Sequence, residues 1–83
     1  MKDYNFFVYL CDTALRVDKI SSISSVKQVD KDKYRFTVTV EGTTRLFTYT
    51  NNDESIAREE HGRFIKAVRQ ELDKLMEYKH DRL

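Results

Sequence analysis

The chain has no proline, no tryptophan, only two glycines (Gly42 and Gly62) and a single cysteine, Cys11. Each shortage excludes something. One cysteine cannot close an internal disulfide, so a disulfide-stapled secreted domain is excluded and a reducing, cytoplasmic setting is expected. Two separated glycines cannot build a glycine-rich phosphate loop. Long hydrophobic runs are missing too. The longest, Phe6 to Cys11, is six residues, against about 20 for a helix that spans a bilayer. That short run, with acidic Asp3 ahead of it, also argues against a secretory signal. Charge of one sign is scarce: the net charge is +1, residues 1–51 carry +2 and residues 52–83 carry −1. No basic block marks a nucleic-acid footprint, and the acids of the C-terminal segment match its bases, so no membrane-surface helix is expected.

What is present is enough for a small globular domain. Eighty-three residues, 40% hydrophobic and 35% charged, describe one folded unit, residues 1–83, rather than a disordered chain. A chain of this size buries about 60–65% of the surface that its unfolded form exposes. Five Phe and five Tyr supply the core volume.

The hydrophobic period changes near Asn51-Asn52. Before it, apolar residues alternate: Tyr34, Phe36, Val38 and Val40 fall on one side, and Arg35, Thr37, Thr39 and Glu41 on the other. After it they recur every three or four residues, at Ala57, His61, Phe64, Ile65, Val68, Leu72, Leu75 and Met76. The first rhythm belongs to a strand with one buried face and the second to an amphipathic helix. The expected fold is therefore α+β: an antiparallel sheet of four to five strands within about residues 4–50, and one long C-terminal helix, about 53–80, packed on one face.

The hairpin from Tyr34 to about Tyr49 is the clearest element. Glu41-Gly42 reads as its turn, since Gly accepts a positive φ. A two-residue loop places Phe36 opposite Phe47 and Tyr34 opposite Tyr49. A four-residue loop keeps the same parity, so Phe47 and Tyr49 join the apolar row either way. An earlier strand runs from about Tyr4 to Cys11 and is apolar on both sides, which suits a doubly buried strand or one with a face left for a partner. Ala14 to Val17 reads as a short return. Ile20, Ile23, Val26 and Val29, spaced by three, fit neither period; a turn near 18–22 and a strand from about Ile23 to Val29 are expected. Asp30 to Lys33 is a charged turn.

Thr50-Asn51-Asn52-Asp53-Glu54 is a helix start, with capping-box spacing at Asn51/Glu54 and Thr50/Asp53. A helix from Asp53 to His80 is about 42 Å long, whereas a seven-residue strand covers about 23 Å. The helix must break near Gly62, fray at its end, or offer its overhanging apolar stripe to another chain, most simply a second copy across a two-fold axis.

Candidate chemistry is sparse. Glu59-Glu60-His61 is an acid–histidine cluster, but adjacent helical residues do not converge on one ligand, and His61 lies on the apolar stripe, where it is expected to pack against the sheet with one ring nitrogen hydrogen-bonded. Glu77 with His80 or Asp81 falls short of the ligand count of a metal site. Cys11 reads as a small buried hydrophobe, and the serines from Ser21 to Ser25 as turn residues bonding their own backbone. Tyr4, Phe6, Phe7 and Tyr9 with Arg35 and Arg45 could form a stacking platform, but they read first as core.

No catalytic residue, metal or cofactor is assigned, and no small-molecule substrate is expected. The expected function is a non-catalytic, self-associating protein-binding module: a small accessory or inhibitor protein acting on a larger enzyme or complex, a class that includes phage proteins directed against host defences. Its interface is expected at Leu72, Leu75, Met76 and Tyr78, then Phe7 and Tyr9, joining a homodimer. The alternative is a small nucleic-acid-binding domain using Lys27, Lys33, Arg35 and Arg45.

Overall fold

The computed structural model of the chain describes residues 6–81. These form β1 (Phe7–Leu10), β2 (Thr13–Arg16), a short 3-10 helix (Val17–Lys19), β3 (Ile20–Ile23), β4 (Lys27–Asp30), β5 (Lys33–Val40), β6 (Leu46–Asn51) and α1 (Glu54–Asp81). All strand pairs are antiparallel. The fold is α+β, as the change of period predicts, with its strands divided between two sheets. β1 and β2 form a two-stranded hairpin, while β3 and β4 lie end to end along one side of β5 and β6 lies along the other.

The β5–β6 hairpin pairs Phe36 with Tyr49 and Val38 with Phe47. The two-residue loop expected from Glu41-Gly42 is thus replaced by a longer one, and each partner moves by two residues. Because strand faces alternate with period two, this shift leaves every side chain on its predicted face. Gly42, at φ 87, takes the left-handed conformation within that loop.

The spacing of three between Ile20 and Val29 has a physical cause. Ile20 faces Val40 and Ile23 faces Val38, so three residues on β3 match two on β5, with a register shift between Ile20 and Ser22. One extra residue is a bulge, and it returns the next apolar side chain to the inner face. The same happens between Ile23 and the buried Val26, where the expected single strand breaks. There Ser24 takes over both backbone groups of Thr37. The Thr37 N–H donates to Ser24 Oγ at 2.8 Å, and the Ser24 N–H donates to the Thr37 carbonyl at 2.8 Å. A further shift between Gln28 and Asp30 leaves Val29 exposed. The serines are less self-contained than expected, since Ser21 and Ser22 bond Thr39 on the neighbouring strand.

The helix neither breaks nor bends out of its element at Gly62; it is one run of 28 residues. Its cap is Asp53, two residues after Asn51 and three after Thr50, the caps that the capping boxes suggest. The Ile56 N–H donates to Asp53 Oδ1 at 3.2 Å, and Asn51 Oδ1 accepts the Asp53 N–H at 2.8 Å, so two orphan groups of the first turn are satisfied by side chains. The molecule measures 51 × 25 × 19 Å, its long axis comparable to the helix. The sheet does not have to cover that length alone. Val8, Leu10, Leu15 and Val17 from the first hairpin and the 3-10 helix join Phe36, Val38, Ala57, Phe64 and Val68 in one buried cluster, and Phe6 meets Tyr78 with ring centroids 6.2 Å apart. The hairpin is a second platform for the helix.

Gly62 is exposed with open space around it. Gly62→Ala should therefore raise stability by about 1 kcal/mol, since it restricts the unfolded chain and meets no clash. Urea denaturation of the two proteins measures the difference.

Candidate protein interaction surface

Helical geometry divides the expected interface. Phe64, Val68 and Leu75 lie along one line of α1, and the first two are buried. Leu75 is half-buried against the same cluster, and Tyr78 is half-buried beside Phe6. Leu72 and Met76, one turn apart, sit on the flank of that line and expose 37% and 66% of their surface. Of the four helical residues expected at an interface, the structure places two against the chain's own core and two in solvent.

β1 divides in the same way. Val8 and Leu10 face the core, so Phe7 and Tyr9 face the opposite side, exposing 36% and 71%. The strand that is apolar on both sides has one face buried and one bare. Its inner face meets the helix, and Phe7 and Tyr9 belong to the outer row of the strand. The sequence reading missed Leu46, which is 61% exposed. The signal was legible: Leu46 pairs with Thr39 and interrupts an outward row otherwise made of Thr48 and Thr50.

Where the first hairpin, the helix and β6 meet, a cleft of about 330 Å³ is lined by Tyr9, Leu10, Cys11, Phe36, Tyr49, Glu60, Arg63, Phe64 and Ala67. Its charged side is internally balanced, with Arg63 3.2 Å from Glu60 and 3.3 Å from Glu59. Tyr49 Oη accepts a hydrogen bond from the Asn51 side chain at 3.1 Å. Cys11 is not the buried strand residue expected. It is exposed and occupies the first place of the two-residue turn between Leu10 and Thr13, with φ 55. That conformation favours Gly and costs other L-residues about 1–2 kcal/mol.

The basic residues do not form one face. Arg35 stands directly opposite Lys27, and Lys33 shares their outward face by strand alternation. Arg35 Nε donates to Thr50 Oγ1 at 3.1 Å. Arg45 is separate: its guanidinium lies 5.1 Å from the centre of the Phe47 ring, over the inner row. Of the aromatic residues considered as a stacking platform, Tyr4 lies outside the described residues, and Phe6 packs on the core.

His61 is where the helix meets the broken strand. Its ring stands edge-on to Phe36 at 5.0 Å, and Nε2 lies 2.8 Å from the Ser24 carbonyl. A carbonyl only accepts, so Nε2 carries the proton and donates. Among the described residues no group of three or more His, Cys, Asp or Glu could hold a metal ion, and no helix is long and apolar enough to cross a membrane.

The chain matches no family model, no curated protein and no solved structure.

His61→Leu should lower stability by about 1–3 kcal/mol, because the Ser24 carbonyl loses its donor in a half-buried site. His61→Gln, which keeps an N–H donor, should recover part of the loss when both are compared by urea denaturation.

Proposed function

We propose that this chain is a non-catalytic, self-associating protein-binding module, of the kind that acts as a small accessory or inhibitor protein on a larger enzyme or complex. The observation that supports the reading most directly is the pair Leu72 and Met76. They widen the apolar stripe of α1 on a flank that the sheet and the first hairpin leave exposed. Single exposed apolar side chains are ordinary on protein surfaces; neighbours on one helical flank offer a partner a groove-filling contact of the helix type. Tyr9, with Phe7, adds a second exposed apolar site on the hairpin's outer face.

Light scattering over a concentration series should show the mass rising from one chain to two. A strict monomer at the highest concentration removes self-association from the reading. Met76→Asp should leave stability within about 0.5 kcal/mol, as a surface change, yet lose the partner that the unaltered chain captures from its native cell. Leu75→Asp is a poor probe, because Leu75 packs against the core and its loss would also weaken the fold.

A second reading, as a nucleic-acid-binding domain, is favoured by one observation. Lys27 and Arg35 are directly opposed across strands, and among the described residues neither they nor Lys33 form an ion pair. Like charges facing each other are destabilising, and a polyanion would relieve that. Three phosphate contacts predict an affinity for duplex oligonucleotide that falls with a log–log salt slope of about −2 to −3. No binding at low salt removes this reading.

A further inference from the structure

α1 carries two rows of residues. The first, through Phe64, Val68 and Leu75, faces the core. The second lies about a quarter of a turn round the helix from it. It consists of Ile65, Arg69, Leu72 and Met76, whose steps of four, three and four residues are those of a helix packed along another helix. Ile65 is half-buried and the other three are exposed. Beside this row, on the side away from the core, stand Lys66 and Asp73, both exposed. No acid lies three or four residues from Lys66, so no neighbour on its own helix can pair with it. Asp73 has Arg69 at that spacing, yet among the described residues none of the three forms an ion pair. Lys66 and Asp73 are seven residues apart, about 10.5 Å along the axis, which is too far for them to meet within one chain.

We propose that the occupant of this second row is a second copy of the chain, its α1 lying antiparallel along the first across a two-fold axis that passes between residues 70 and 71. This rests on the reading that the module self-associates, and it names the surface and the direction of the contact. The register follows from the residues. Ile65 meets Met76 of the second copy and Arg69 lies over its Leu72, each contact occurring twice. Lys66 then stands beside Asp73 of the other copy, also twice, and the long Arg69 side chain reaches the same carboxylate. Each copy thus supplies the opposite charge that the other lacks. Parallel pairing instead sets Arg69 against Arg69 in the seam, where like charges repel. Val68 and Leu75, immediately before Arg69 and Met76 in the chain, belong to the core, so both sheets lie on one side of the helix pair. The contact is isologous and closes at two copies.

The test uses the full chain at low salt, under reducing conditions so that the exposed Cys11 thiol adds no disulfide-linked species. Lys66→Asp and Asp73→Lys each turn two attractive contacts into repulsive ones, at exposed positions that leave the core untouched. Either variant alone should weaken the dimer about tenfold, as read by sedimentation equilibrium over a concentration series. Mixed in equal amounts, the two variants should pair with each other as tightly as the unaltered chain pairs with itself, because one then carries only acids at these positions and the other only bases. A single chain with both substitutions should also dimerise normally. Glu77→Lys changes the net charge as Asp73→Lys does, but off the second row, and should dimerise as the unaltered chain does. The proposal is overturned if either single variant dimerises normally, if neither mixing nor the double variant restores the dimer, or if Glu77→Lys weakens it as much. Each of those results leaves self-association standing, since the unaltered chain still pairs. An unaltered chain that stays monomeric at every concentration overturns both.

Discussion

Phe36 joins the sheet to the helix. Its ring is almost wholly buried and touches three others: Tyr49 on the neighbouring strand at 5.4 Å, His61 at 5.0 Å and Phe64 at 6.0 Å. Aromatic neighbours at these separations add about 0.5–1.5 kcal/mol per pair to the area that they bury. The contact also sets geometry. With His61 and Phe64 held over β5, the helix axis is fixed at its first third, and everything beyond Val68 must find cover elsewhere or remain in water.

Most of that cover comes from the first hairpin. β1 and β2 are only four residues each, too short to be stable as an isolated pair, and they persist because Val8, Leu10, Leu15 and Val17 enter the common core. The dependence is mutual: the helix needs the hairpin to hide its later turns, and the hairpin needs the helix to hide its inner face. What is left over follows from the shape of this arrangement. A two-stranded platform beneath one line of a helix covers that line and leaves a flank, where Leu72 and Met76 sit. The outer face of β1 has no layer above it, so Phe7 and Tyr9 remain in solvent.

Much of this was legible in the residue order. The strand-to-helix change, the inward row of Phe36, Val38, Phe47 and Tyr49, and the placing of His61 against the sheet all rest on periodicity, which survives errors of loop length. The three-residue spacing from Ile20 to Val29 was also a signal, that of a strand bulged once per repeat, but a bulge shows itself only when a partner strand is available for comparison. Cys11 was misplaced because the apolar tract runs through it, and the Cys11-Asp12 turn carries neither Gly nor Asn to announce a reversal. Position along the stripe nominates Leu72, Leu75, Met76 and Tyr78 alike, whereas exposure depends on angle around it. Leu75 and Leu72 look alike in sequence, and only the landing place of the hairpin separates them.

By itself, the order of residues determined which side chains share a face, where the period changes and how long the helix must be, because these depend on local pleat and helical pitch. Which faces end up covered was decided only in three dimensions. That depends on how far the first hairpin reaches along the helix and on how the bulged strands β3 and β4 register against β5, and both are set by contacts between segments far apart in the chain.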